Sequence, residues 1–241
     1  MLHIGILAHS ADGSALCYLE MVREGARRLE AHQHPEITMS LLPMGPTLPW
    51  WDALDLEKIN AHLRATAQRL ADAGCDFFVC PDNTAHIALD AAREPFPLPG
   101  LHICEVVAER AKADGRKRIA LLGTRYTMQG PAYPAAFARH GLEMSAPGEA
   151  DQELLNRLIF DELCMGEITE RARAEFLRVI ETMKREGCDA AALSCTEIPL
   201  IVTPENSPLP TLDSTRLLAQ AAVAVALREQ PLPSWRGGSW G

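Results

Sequence analysis

Gly187-Cys188-Asp189-Ala190-Ala191-Ala192-Leu193-Ser194-Cys195-Thr196-Glu197 repeats a plan that the chain has already used at Gly74-Cys75-Asp76-Phe77-Phe78-Val79-Cys80-Pro81-Asp82-Asn83-Thr84. In both, Gly-Cys-Asp leads into a short apolar run and then into polar residues suited to start a helix. An apolar run without polar alternation reads as a strand buried on both faces, the signature of a parallel sheet. Two further segments recur in the same order. His3-Ile4-Gly5-Ile6-Leu7-Ala8-His9 matches Arg118-Ile119-Ala120-Leu121-Leu122-Gly123-Thr124, and Leu98-Pro99-Gly100-Leu101 matches Leu209-Pro210-Thr211-Leu212. The offsets, 115, 113 and 111 residues, are nearly constant, so the chain reads as two similar halves.

Working outward, strands are expected at 2–8, 36–42, 76–81, 100–103, 118–123, 189–194 and 210–212. Helices are expected at 14–31, 55–73, 84–93, 104–114, 129–140, 151–164, 167–186 and 214–228. Strand–helix alternation with apolar strands predicts an α/β protein of two pseudo-symmetric domains, each a parallel sheet flanked by helices. The expected division is 1–97 with 212–230 as the first domain and 98–211 as the second. The end, 231–241, with Pro231, Pro233 and Gly237-Gly238, reads as a flexible tail.

The 241 residues are 47% hydrophobic and 23% charged, which supplies a core and excludes a disordered chain. The net charge of -9 argues against nucleic acid, which needs a basic face. It leaves small anionic ligands open, because a local cationic pocket can exist in an acidic protein. The apolar run Ala221–Leu227 is far below the roughly 20 residues of a membrane span. Met1–Leu7 lacks the basic start of a signal peptide. The expectation is a cytoplasmic chain with no membrane partner. Seven cysteines, an odd number with neither C-x-x-C nor zinc-like Cys/His spacing, read as reduced thiols without a metal.

In open parallel sheets, ligands gather beyond the C-terminal strand ends. Asp82 and Cys195 stand at equivalent ends, each seven residues after the cysteine of its Gly-Cys-Asp. If the halves face each other about a pseudo-twofold axis, the two side chains meet across one cleft, with one proton-transferring group on each face of a substrate. Asp82 also reads as a helix N-cap. As a catalytic group it is a competent base near its ordinary ~3.9, and an acid only where an apolar pocket raises that value. Cys195 reads either as a small buried thiol or as a reactive one, with helix-start amides favouring its thiolate. Cys80 reads as core, two residues before Asp82.

The motifs Pro81-Asp82-Asn83-Thr84-Ala85-His86 and Leu193-Ser194-Cys195-Thr196-Glu197-Ile198-Pro199-Leu200 resemble those of the aspartate/glutamate racemase family, within the Asp/Glu/hydantoin racemase superfamily. Leu121-Leu122-Gly123-Thr124-Arg125-Tyr126-Thr127-Met128 and Ile159-Phe160-Asp161-Glu162-Leu163-Cys164-Met165-Gly166 fit as well, and the likeness runs from about 2 to 228. The resemblance implies two pseudo-symmetric α/β domains with the active site between them, usually in a homodimer, and no cofactor. It implies a pair of cysteines that exchange the α-proton of an amino acid from opposite faces. Cys195 matches the second cysteine; Asp82 replaces the first. Asn83, Thr84, Thr196, Thr124 and Thr127 match groups that hold the substrate α-carboxylate, while Tyr126 is placed to polarise an enolate-like intermediate. His86 reads as a supporting or core histidine, and Glu197 as an orienting group.

The chain departs from the family at the first strand end, where Ala8-His9-Ser10-Ala11-Asp12-Gly13-Ser14 replaces a Gly-Gly-Met turn. Met44-Gly45-Pro46-Thr47-Leu48-Pro49-Trp50-Trp51 lacks the arginine that takes the side-chain carboxylate in aspartate-type members. The family's lysine before Gly166 is Cys164, leaving Arg125 as a candidate cation. His9 and Ser10 thus become candidate substrate contacts. Trp50 and Trp51 read as loop packing or as apolar area for a larger, less acidic substrate. The leading expectation is a cofactor-independent amino-acid racemase or epimerase, with Cys195 and Asp82 as catalytic groups and a carboxylate-bearing small molecule as partner. The alternatives are a decarboxylase or cis-trans isomerase of small (di)carboxylic acids, or a non-catalytic ligand-binding relative.

Overall fold

The computed structural model describes residues 1–236. They separate into two units: Met1–Ile103 with the chain from Thr215 onward, and Cys104–Ser214. The first runs β1 (Ile4–Ala8), α1 (Ala11–Arg28), β2 (Ile37–Leu41), α2 (Leu48–Asp52), α3 (Leu56–Asp72), β3 (Phe77–Val79), α4 (Ala85–Ala91) and β4 (Gly100–Leu101). The second runs α5 (Ile103–Ala113), β5 (Arg118–Gly123), α6 (Arg125–Gln129), α7 (Ala132–Arg139), β6 (Glu143–Ser145), α8 (Glu149–Asp161), α9 (Glu170–Arg185), β7 (Ala190–Ser194) and β8 (Thr211–Asp213). Helix α10 (Ser214–Ala226) returns to the first unit, where the Ala226 carbonyl accepts from the Leu2 N–H at 2.8 Å.

Among the described residues, the two sheets are β2-β1-β3-β4 and β6-β5-β7-β8, parallel throughout. They have the same order, element for element, as the repeat predicts. Every residue of β1 and β7 is buried, as required of central strands covered by helices on both faces. Phe78, Leu63 and Leu70 anchor one core, and Phe176, Ile180 and Leu193 the other.

The repeated motifs are sheet-building devices. Gly74 and Gly187 sit at φ 83° and 95°, left-handed turns just after α3 and α9 that a glycine adopts without a Cβ penalty. The next cysteines are buried. Asp76 then accepts from the His3 N–H at 2.7 Å; Asp189 accepts from Lys117 and Arg118 N–H at 2.8 and 3.2 Å. Each aspartate ties the start of one central strand to its neighbour. The proline of each Leu-Pro pair does the same one strand further out: Pro99 and Pro210 carbonyls accept from Phe78 and Ala191, both at 2.8 Å.

Several elements differ from expectation. Strand β6 is a three-residue edge with little apolar character. Helix α2 is a five-residue piece with Pro49 in its first turn. The helix expected at 129–140 is two, α6 and α7, separated at Gly130-Pro131. The units divide at 103/104 and 214/215, not at 97/98 and 211/212, because β4 pairs with β3 and β8 with β7.

The tail is fixed at least to Arg236. Trp235 O accepts from the Gly100 N–H at 2.7 Å, and Arg236 O from the Phe96 N–H at 3.0 Å. The Trp235 indole lies parallel to His86 at 5.4 Å, and its N–H donates to Asp90 at 3.2 Å. A half-buried indole with both ends engaged overrides the local proline signal. The rest of the expected tail, 237–241, lies outside the described residues. Trp235→Ala is expected to destabilise the protein by about 2 kcal/mol, read as a lower denaturation midpoint.

Candidate functional site

In the first unit, Asp82 lies three residues beyond β3 and three before α4. Its Oδ1 accepts from the Ala85 N–H, the first of α4, at 3.1 Å, although the N-cap position of that helix is Thr84 and not Asp82. Its Oδ2 accepts from His9 Nδ1 at 2.6 Å. His9 follows β1, which pairs with β3 through Ile6↔Val79, and this register brings the two residues together. Trp51 Nε1–H donates to His9 Nε2 at 3.3 Å, with the rings edge-on at 5.7 Å. On the backbone side, His86 Nδ1 donates to the Asp82 carbonyl at 2.9 Å, and the Ile103 N–H donates to His86 Nε2 at 3.3 Å.

Burial pushes the Asp82 carboxyl up, but the His9 imidazole and the Ala85 N–H outweigh it and hold the group below its ordinary value. Asp82 is therefore a carboxylate at neutral pH. Burial lowers His9, and the Asp82 charge more than offsets this, so His9 is raised above 6.5. Burial and the neighbouring His102 bring His86 down to about 3, leaving it neutral. Cys80 is fully buried, and burial first and Asp82 second push its thiol well up.

In the second unit, Cys195 follows β7 directly. Gly123 ends β5 beside it, where a Cβ would meet the Ser194 carbonyl at 2.9 Å; only glycine permits this approach. Thr124 then caps α6, accepting from the Thr127 N–H at 3.3 Å, with the two hydroxyls 3.2 Å apart. Tyr126 is half-buried, and the Arg125 guanidinium lies 5.9 Å from its ring centre.

The Cys195 thiol donates to Glu197 Oε2 at 2.9 Å. Burial first, then the Glu197 charge and this hydrogen bond, push the thiol well above 9.0; only the Glu197 N–H works the other way. The expectation that helix-start amides favour the thiolate fails here. Beyond Cys195 the chain makes a single 3-10 turn, Ile198–Leu200, and the buried Glu197 carboxylate outweighs its amides. Cys195 is a protonated acid at rest. Glu197→Gln removes the opposing charge, so the thiol should titrate at lower pH. In a Cys164→Ser background, which removes the exposed cysteine, iodoacetamide should then alkylate Cys195 faster at pH 8 than in the parent. An unchanged rate would show that Glu197 does not set its acidity.

The predicted residues thus fall into two groups, each at its own strand ends. His9, Ser10, Asp82, Asn83 and Thr84 belong to the first unit, and Thr124, Tyr126, Thr127, Cys195 and Thr196 to the second. His9 is 4% exposed and both its ring nitrogens meet protein groups. Ser10 heads α1 without a side-chain capping bond. Trp51 is buried on His9, whereas Trp50 packs edge-on against His62 at 6.1 Å. Sequence reasoning missed the Trp51–His9–Asp82 chain. Its available signal was the repeat itself, which sets the residue after the first strand beside the residue after the third. Among the described residues no group of three or more His, Cys, Asp or Glu side chains is placed to hold a metal, and no helix is long and apolar enough to cross a membrane.

The chain is similar along nearly its whole length to the broad specificity amino-acid racemase RacX of Bacillus subtilis (24% identity, covering 94% of this chain and 99% of that one). It is 27% identical to a glutamate racemase of Aquifex aeolicus, over 82% of this chain and 72% of the other. Among solved structures, one from Yersinia pestis described provisionally as an Asp/Glu racemase superposes with a TM-score of 0.86 at 30% identity (94% and 100% covered). An aspartate racemase homologue from Pyrococcus horikoshii gives 0.79 at 26% (94% and 100%). Residues 6–222 match the family described as Asp/Glu/Hydantoin racemase, a span that begins within β1 and holds the other strands of both sheets and both strand-end groups. With that match added to the repeated sheet order, the chain belongs to the Asp/Glu/hydantoin racemase family.

Proposed function

We propose that the protein is a cofactor-independent amino-acid racemase or epimerase in which Asp82 and Cys195 exchange protons with one α-carbon from opposite faces. The observation that carries this reading is the complementary resting state of the two strand ends. His9 and Ala85 support an ionised carboxylate at Asp82, and Glu197 supports a protonated thiol at Cys195. One is a base, the other an acid, and they occupy equivalent positions in the repeat. Asp82 takes the α-proton while the C–H pair moves into a planar, enolate-like carboxylate. The Cys195 thiol gives its proton to the opposite face of that carbon, leaving Asp82 protonated and Cys195 as thiolate. The thiolate beside Glu197 is unfavourable and recovers a proton from solvent, and Asp82 releases one, which restores the resting state.

Asn83, Thr84, Thr196, Thr124 and Thr127 are the proposed carboxylate-holding groups, since helix-start hydroxyls and N–H groups bind anions well, and Ser10 is a proposed substrate contact. Tyr126 is the proposed partner of the developing enolate oxygen. The Met44–Trp51 segment offers no cation for a substrate side chain. Together with the broad specificity stated for RacX, this favours a substrate range beyond aspartate and glutamate. The reading includes a homodimer, as the family resemblance implies, and a cytoplasmic location, as the reduced-thiol reading of the cysteines implies. An ionised Asp82 disfavours decarboxylation, because it would repel a departing carboxylate. The test is inversion of a panel of L- and D-amino acids, acidic, aliphatic and aromatic, followed by chiral chromatography. Inversion of at least one supports the reading; inversion of none at high enzyme concentration overturns it.

A further inference from the structure

Asp82 is held by two histidines whose ring protons are fixed by their partners. A carbonyl oxygen only accepts, so His86 carries its proton on Nδ1, and the Ile103 N–H occupies Nε2. The same logic applies on the carboxylate side. The Asp82 carboxylate accepts from His9 Nδ1, while Trp51 presents an indole N–H, which can only donate, to His9 Nε2. A second proton on His9 has to go on Nε2. There it would face the indole N–H, and one buried hydrogen bond would be lost. The indole is 7% exposed and the imidazole 4%, so water does not readily replace that bond.

We infer that Trp51 is a positioning residue that fixes His9 as the neutral Nδ1–H tautomer, so that Asp82 stands as a hydrogen-bonded carboxylate rather than as half of an ion pair. The distinction matters to a base. A neutral donor orients the carboxylate and costs it little basicity; an imidazolium at 2.6 Å would stabilise the charge and make it a much weaker proton acceptor. His9 is pulled toward protonation by Asp82 and away from it by burial and by Trp51. The other titratable groups facing the pair are His86 from α4, His62 from α3, Cys80 beside Asp82 and Cys17 from α1 behind Cys80. His86 is neutral, burial is the largest influence lowering His62, and burial pushes Cys80 up. None of these three supplies a competing charge near neutral pH.

This inference takes its catalytic meaning from Asp82 as the base, and its test separates the two. In wild-type protein without substrate, 15N NMR of His9 at pH 7.5 should show a protonated Nδ1 and a bare, hydrogen-bonded Nε2. An Nε2–H tautomer or an imidazolium at that pH overturns the inference, whatever the protein catalyses. In Trp51→Phe, which keeps an aromatic ring but loses the donor, His9 should take its second proton about one pH unit higher. The acid limb of kcat/KM for racemisation should move up with it, by about the same amount. A limb that stays in place while the His9 titration moves overturns the coupling to Asp82. If the wild type inverts no amino acid, the proposed reaction fails, and the His9 titrations in wild type and Trp51→Phe still decide the role of Trp51. If Trp51→Phe does not fold, the wild-type tautomer alone decides it.

Discussion

Cys195→Ala is expected to lower racemisation on the order of 1000-fold, the scale of removing a positioned acid, while sparing one half of the chemistry. Cys195 rests as a thiol donating to Glu197, so from that state it gives a proton, and the reverse inversion starts from its thiolate with Asp82 protonated. Its loss leaves Asp82 free to remove the α-proton of the enantiomer that presents that proton to it. A protonated carboxyl with its side chain 15% exposed exchanges with solvent and can return a deuteron to the same face. In deuterated buffer, Cys195→Ala should therefore wash solvent deuterium into one enantiomer with retained configuration, and into the other hardly at all. Chiral chromatography coupled to mass spectrometry reads both quantities in one sample. Unchanged inversion in Cys195→Ala would remove Cys195 from the mechanism.

The architecture was legible because the repeat carries it in backbone terms. Gly74 and Gly187 are needed at left-handed turns, Asp76 and Asp189 accept strand N–H groups, and Pro99 and Pro210 offer carbonyls to the next strand. Such residues recur wherever the same sheet is built, so their spacing reports the topology. The elements that escaped have no such obligation. Strand β6 is a three-residue edge held by β5 alone, and α2 owes its existence to packing around Trp51. The two strand-end residues were legible for the same reason as the sheet, since Asp82 and Cys195 occupy equivalent positions. What surrounds them was not. His9 meets Asp82 across 73 residues and Trp51 meets His9 across 42, contacts set by β1–β3 pairing and by the approach of a short helix. The protonation of Cys195 was misread for a similar reason. A helix-start rule sees backbone amides, whereas the geometry turns the Glu197 carboxylate onto the sulfur.

Asp82→Asn should bring a loss of the same order, because a neutral amide keeps the shape of the side chain and cannot accept the α-proton. Racemisation should fall on the order of 1000-fold, and solvent deuterium should no longer enter the enantiomer that Cys195→Ala still labels. The two variants then have opposite exchange patterns on one substrate, a result that a single shared group cannot produce. The same substitution reaches stability. Asp82 is depressed in the folded protein, so its contribution is present above the unfolded value of ~3.9 and is lost as the pH falls through the lower folded value. His9 is raised, so its contribution is present below ~6.5 and is lost as the pH rises through the higher folded value. The two overlap between about pH 4 and 6.5, where wild type and Asp82→Asn should differ most in denaturation midpoint, with a smaller gap at pH 8. With the carboxylate gone, burial acts on His9 unopposed, and its titration should drop below 6.5. A His9 that titrates unchanged in Asp82→Asn would break the link between the two groups on which both the base and its tuning rest.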